Sequence, residues 1–233
     1  AMYLQEEISK RWLDIQAQIR DRAATCHRDP EDITLVAVSK THPAEAVRIL
    51  AGLGHAHFGE NYVQEALDKQ DELSDLNLTW HFIGRLQSNK AKYLPGRFGL
   101  IHSLDRVKTA QVLHDRCAQA GLQQRVLIQV NVAGEQQKGG VPVSDLSSIA
   151  RDILAMPTLQ VQGLMCMPPF FDDPEASRPF FRRLRQERDR VQEDLGVSLP
   201  HLSMGMSGDY LAAIEEGSTL VRIGTSIFGQ RDL

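Results

Sequence analysis

Lys40 closes the short apolar run "TLVAVSK" and stands just before His42-Pro43. A lysine so placed is either a solvated strand end or a reactive amine. On a strand, Val36, Val38 and Lys40 point to one side. If that side looks into a closed barrel, the amine sits at the mouth, above packed valines. Partial desolvation lowers a lysine's pKa, and a neutral amine can attack an aldehyde to form a Schiff base.

Two further stretches are built for an anion. In "SMGMSGD" (203–209) and "GSTLVRIGTSIFG" (217–229), an apolar strand runs into a turn of glycine and hydroxyl residues. Glycine, here Gly224, lets backbone N–H groups approach a phosphate, and Ser207 and Thr225 can add hydroxyl donors; ordinary turns use the same residue types. Arg222 interrupts the last apolar run. Arginine is rarely buried without a partner, so it reaches either the rim or a ligand on the proposed phosphate side. The histidines lack the spacing of a metal site. His81 reads as a core histidine or a cofactor neighbour. The six arginines at 175–195 are mixed with acids and read as a solvated helix face.

These residues need a scaffold that brings strand ends together. Periodicity predicts strands near 33–39, 55–59, 80–84, 100–103, 126–132, 161–167, 201–206 and 220–224. Helical patterns fall between them, near 44–53, 62–73, 87–94, 106–120, 144–156, 175–195 and 209–216, and an extra helix near 5–24 precedes the first strand. Alternation of this kind argues for a parallel sheet, and eight strands are the number that closes a (β/α)8 TIM-type barrel; an open doubly wound sheet is the alternative. Barrels carry their sites at the C-terminal ends of the strands, with phosphate often at the loops after the last two. Lys40, Asn61, Ser207, Arg222, Gly224 and Thr225 all fall at such ends. No linker or low-complexity segment divides the 233 residues, so we expect one α/β domain over 1–233.

Composition excludes several classes. A formal charge of −4 gives no sign of a nucleic-acid partner. The longest apolar runs are too short for a membrane span, and the charged N-terminus lacks a signal peptide's apolar core. Three widely separated cysteines, Cys26, Cys117 and Cys166, fit a reducing, cytoplasmic setting without a disulfide framework.

The segments "AVSKTHP", "HFGENYVQEALDK", "WHFIGRLQSNKAKYL", "HSLDR", "VLIQVNVAGEQQKGG", "GLMCM" and "LSMGMSGDYLAAIEEGSTLVRIGTSIFG" resemble, in order and over about 33–231, the pyridoxal phosphate homeostasis protein family. That family is related to the barrel domain of alanine racemase. The resemblance implies a single (β/α)8 barrel that binds pyridoxal 5′-phosphate (PLP) as a Schiff base on Lys40. It implies that Ser207, Gly224 and Thr225 hold the phosphate, that Arg222 faces the pyridine nitrogen, and that Asn61 and His81 line the same mouth. Arg85 stands where the family varies. A cation at the ring nitrogen disfavours its protonation and makes the ring a weaker electron sink. Alanine racemase adds a β-rich domain carrying a catalytic tyrosine; this sequence ends at Leu233, just past the eighth strand, so no such base is expected. The resemblance therefore implies a monomeric, non-catalytic PLP carrier in vitamin B6 and amino-acid homeostasis, with PLP-dependent apoenzymes as recipients. A PLP-dependent amino-acid racemase on a bare barrel, and a Schiff-base aldolase, are the competing readings.

Overall fold

Leu35, Val36, Ala37 and Val38 are buried on both sides, as a strand in a parallel sheet covered by helices must be. The computed structural model describes residues 2–136 and 138–230. In chain order the strands are Thr34–Val38 (β1), His57–Glu60 (β2), Thr79–Phe82 (β3), Leu100–Leu104 (β4), Gln124–Asn131 (β5), Val141–Pro142 (β6), Leu159–Met165 (β7), His201–Ser203 (β8) and Leu220–Ile223 (β9). All pairings are parallel, and they run β4-β3-β2-β1-β9-β8-β7-β5, with β5 returning to β4. The eight expected strands thus close into a barrel, and the short β6 pairs with β5.

The helices are Met2–Thr25 (α1), Ala44–Gly52 (α2), Val63–Glu72 (α3), Ser88–Ala91 (α4), Val107–Ala120 (α5), Leu146–Leu154 (α6), Arg178–Leu195 (α7), Tyr210–Glu215 (α8) and Thr225–Phe228 (α9). Sequence periodicity overran some ends for identifiable reasons. The strand expected over 161–167 stops at Met165, ahead of Pro168-Pro169, which offer no N–H to a ladder. The strand expected over 201–206 stops at Ser203 because Gly205 turns the chain at φ 101°, where an added Cβ would lie 2.7 Å from that of Ala213.

Alternation along the strands builds two cores. Val36, Leu100, Leu127, Met165 and Leu220 fill the barrel interior, while Leu35, Ala37 and Phe58 face the helix layer. On α1, Ile8, Ile15, Ile19 and Ala23 form one buried stripe. Burying each isoleucine contributes about 1.5–3 kcal/mol. This helix packs against α8 and α9, the elements that follow the last two barrel strands. Tyr210 Oη donates to Gln18 Oε1 at 2.8 Å, and Arg22 pairs with Glu215 at 2.8 Å. The added helix therefore braces the corner that carries Ser207 and Thr225. No helix among the described residues is long and apolar enough to cross a membrane.

Candidate functional site

The C-terminal ends of the barrel strands surround a cavity of about 900 Å³. Lys40 enters it from the end of β1, above Val38, which also lines it; Arg222, Gly224 and Thr225 enter from β9 and the start of α9. Ser207 comes from the turn after β8, and Asn61 from the end of β2. Six of the seven residues singled out as cofactor contacts thus lie on one wall system, although 185 positions separate Lys40 from Thr225.

The anion corner is formed by two turns that meet. Thr225 Oγ1 lies 3.5 Å from Ser207 Oγ. The Asp209 carboxylate accepts from Met206 N at 2.8 Å and so folds the turn that presents Ser207. Gly224 passes close to β1: an added Cβ would stand 3.2 Å from Val38 O. Across the mouth, a Cβ on Gly84 would stand 1.9 Å from Asn61 O, so only glycine lets the β3 end run against the Asn61 backbone.

Arg222 forms part of the floor. It is 3% exposed, donates from Nη1 to Ser203 Oγ at 2.5 Å and from Nη2 to the Cys166 carbonyl at 2.9 Å. Burial lowers the guanidinium's pKa from its ordinary value, yet an arginine stays charged in a protein. Its two partners among the described residues are neutral, so there a positive charge is held at the base of the cavity without a carboxylate bonded to it.

His81 is not on the cavity wall. The structure puts it beneath, inside the barrel, with His57 Nδ1 3.0 Å from its Nε2 and His102 Nε2 2.9 Å from its Nδ1. His102 Nδ1 lies 2.8 Å from Ser203 Oγ, which completes a column from β2 to Arg222. Burial is the main cause that lowers the pKa of each ring, to about 3 for His81 and well below the usual value for His102. Both of His81's nitrogens are thus engaged by other histidines.

Sequence reasoning missed Ser103. It lines the cavity, is 2% exposed, and its Oγ has no hydrogen-bond partner among the described residues. Simple alternation gives the inward face to Leu100 and His102. The register shift between Ile101 and Leu104 turns Ser103 inward as well. Asp105, also unforeseen, lines the cavity and accepts from Gly140 N at 2.9 Å, tying the glycine loop after β5 to the rim.

PLP carries an aldehyde, a phosphate and a polar aromatic ring. The wall offers a primary amine, a pair of hydroxyls, a buried cation, and two buried polar atoms without hydrogen-bond partners among the described residues, Asn61 Oδ1 and Ser103 Oγ. Buried polar atoms left unpaired are costly unless a ligand satisfies them. The donor set fits such a molecule.

Comparison with known proteins points the same way. The family described as "Alanine racemase, N-terminal domain" matches residues 14–232. A protein of Aquifex aeolicus named pyridoxal phosphate homeostasis protein is 51% identical over 197 residues, covering 84% of this chain and 86% of its own. The protein of that name from Pseudomonas aeruginosa is 48% identical over 219 residues, 94% of this chain and 93% of its own. Among solved structures, PipY of Synechococcus elongatus with PLP bound superposes with a TM-score of 0.81 at 37% identity, covering 91% of this chain and 100% of that one.

Proposed function

Because the chain belongs to the pyridoxal phosphate homeostasis protein family, we propose that it binds PLP on Lys40 and serves vitamin B6 and amino-acid homeostasis as a non-catalytic carrier. It acts as one barrel domain, as a monomer in the cytoplasm, with PLP-dependent apoenzymes as recipients. What supports this reading above all is the convergence on one cavity of Lys40, the Ser207–Thr225 hydroxyl pair and the buried cation of Arg222.

Each residue has a role that follows from its chemistry. Lys40 holds the cofactor's aldehyde carbon through its amine. Ser207 and Thr225 donate hydroxyl hydrogens to the phosphate, and the backbone at Gly224 can approach it closely because no Cβ intervenes. Asn61 and Ser103 supply polar atoms to the ring substituents. Bound PLP supplies an electrophilic aldehyde and an electron-withdrawing ring. Arg222 keeps a proton off the ring nitrogen, because a permanent cation beside it opposes a second positive charge. The same arginine is backed by neutral groups, Ser203 and the histidine column, and so gains no acid to pass on. This electrostatic setting suits retention of the cofactor better than turnover of an amino acid.

The test is a visible spectrum of the purified protein with added PLP, followed by borohydride reduction, peptide mapping and a broad amino-acid turnover screen. We expect the reduced pyridoxyl group on Lys40, its loss in a folded Lys40→Ala protein, and no turnover. A pyridoxyl group on Lys90 or Lys138 would overturn the Lys40 assignment, and rapid racemisation would overturn the carrier reading.

A further inference from the structure

The segment "GENYVQEALDK" (59–69) supplies Asn61 to the cavity, and its charged residues lie elsewhere. Glu60, Glu65 and Lys69 do not belong to the described cavity wall. They lie behind it, in the helix layer next to β1, where Ser39 also turns its side chain. Glu60 ends β2 and is fully buried; Lys69 is 6% exposed. Helix α3 starts at Val63 and returns Glu65 and Lys69 on one face, four residues apart.

Every proton of the Lys69 ammonium has an acceptor. Nζ donates to the Ser39 carbonyl at 2.6 Å, to Glu60 Oε1 at 2.7 Å and to Glu65 Oε2 at 3.0 Å. Glu60 Oε1 also accepts from Ser39 Oγ at 2.6 Å. Glu65 in turn accepts from Thr41 N, at 2.8 Å to Oε2 and 3.1 Å to Oε1. The residues immediately before and after Lys40 are thus both tied to one buried ammonium. Thr41 has φ 66°, which a β-branched residue adopts only when its surroundings enforce it. The carboxylate on its N–H is such a constraint.

Stability alone is a poor account of this cluster. Buried ion pairs are often no more stabilising than apolar side chains of similar size. Here one carboxylate oxygen, Glu60 Oε2, is buried with no hydrogen-bond partner among the described residues. We propose that Lys69, with Glu60 and Glu65, is a positioning clamp that fixes the backbone on both sides of Lys40 and so aims its amine into the cavity. This rests on the reading of Lys40 as the cofactor-holding amine. Correct aim of a nucleophile affects how fast it captures an aldehyde far more than how well the cavity holds a phosphate.

The experiment uses the full chain freed of cofactor. Capture of PLP is followed by stopped-flow absorbance. Affinity for pyridoxine 5′-phosphate, which carries an alcohol in place of the aldehyde, is measured by calorimetry. Exchange of the Thr41 amide is followed by NMR. Lys69→Met and Glu65→Ala should each slow PLP capture about tenfold or more while changing pyridoxine 5′-phosphate affinity by less than about threefold, and should speed Thr41 exchange. Glu65→Gln keeps an oxygen for Thr41 N and should recover most of the lost rate. The clamp is overturned if Glu65→Ala captures PLP like wild type, if both ligands are lost in parallel, or if Glu65→Gln is as slow as Glu65→Ala. Should Lys69→Met not fold, the Glu65 pair decides. A wild-type protein that takes up no PLP would sink the cofactor reading instead, and the Thr41 exchange would still test the clamp.

Discussion

Arg222 and His102 meet through a single hydroxyl. Ser203 Oγ accepts from Arg222 Nη1 at 2.5 Å and lies 2.8 Å from His102 Nδ1. Ser203 Oγ has two lone pairs, so beside Arg222 it can either accept from His102 Nδ1 as well or turn its one hydrogen toward that nitrogen. We predict the second arrangement, because it leaves no buried hydroxyl hydrogen without an acceptor: His102 then carries its proton on Nε2 and donates to His81 Nδ1, and His81 Nε2 donates to His57 Nδ1. In that arrangement every hydrogen bond of the column runs away from the permanent charge under the cavity. Nitrogen-15 NMR of labelled histidine should find the Nε2–H tautomer at His57, His81 and His102; an Nδ1–H tautomer at His102 would contradict this polarity.

Buried histidines, two of them in this column, make stability depend on pH. His81 is held at about 3 and His55 at about 4, both mainly by burial, and His102 lies well below its usual value. Unfolded histidines titrate near 6.5, so below that pH the unfolded chain binds protons that the folded chain refuses. Stability is therefore full above about pH 6.5 and falls as the pH drops toward about 4 and then 3. Each fully neutral ring should cost about 2 kcal/mol between pH 7 and pH 5. Urea midpoints across that range should fall steeply in wild type and less steeply in His102→Gln. A flat wild-type profile from pH 7 to pH 5 would count against neutral buried rings.

The Ser207–Thr225 pair should be felt by phosphate alone. A hydrogen bond to a charged group contributes roughly 1.5–3 kcal/mol, so Ser207→Ala and Thr225→Ala should each weaken PLP about tenfold or more. Pyridoxal, which lacks the phosphate, should bind poorly to wild type and respond little to either change. Equal sensitivity of pyridoxal and PLP would remove these hydroxyls from the phosphate role.

Arg222→Gln removes the permanent charge but leaves an amide donor for Ser203 or the Cys166 carbonyl. Stability should drop by about 1–3 kcal/mol, the cost of imperfectly satisfied buried groups. With PLP labelled at the ring nitrogen, NMR should find that nitrogen more readily protonated than in wild type. An unchanged nitrogen shift in a folded, loaded variant would mean that Arg222 does not face the ring.

Much of this was legible from local pattern. The period-two strands, the helices between them, and the glycine–hydroxyl turns at 205–208 and 224–226 are written in consecutive residues. So was the side of the chain on which Lys40 lies, because Val36 and Val38 share its face and alternation is a property of any strand. His81 read as either a core histidine or a cofactor neighbour, and its own neighbours were not readable. His57 and His102 are 24 and 21 positions away and meet it only when the barrel closes.

The amino-acid sequence by itself determined a parallel α/β alternation of eight apolar strands and helices, which suits a closed barrel and also an open doubly wound sheet; the pairing of β4 with β5 closed the ring. It also determined which chemical types stand at the strand ends. Tertiary structure decided which of them meet. Ser103 turned inward through a register shift that no alternation rule foresees, and His81 fell one layer below the cavity. The grip of Lys69 on the residues flanking Lys40 spans 30 positions to Ser39 and needs α3, packed against β2, to reach the residue that follows β1. Sequence patterns report a residue's own direction along its element. Hydrogen bonds across elements depend on register and packing, which exist only once the whole ring has closed.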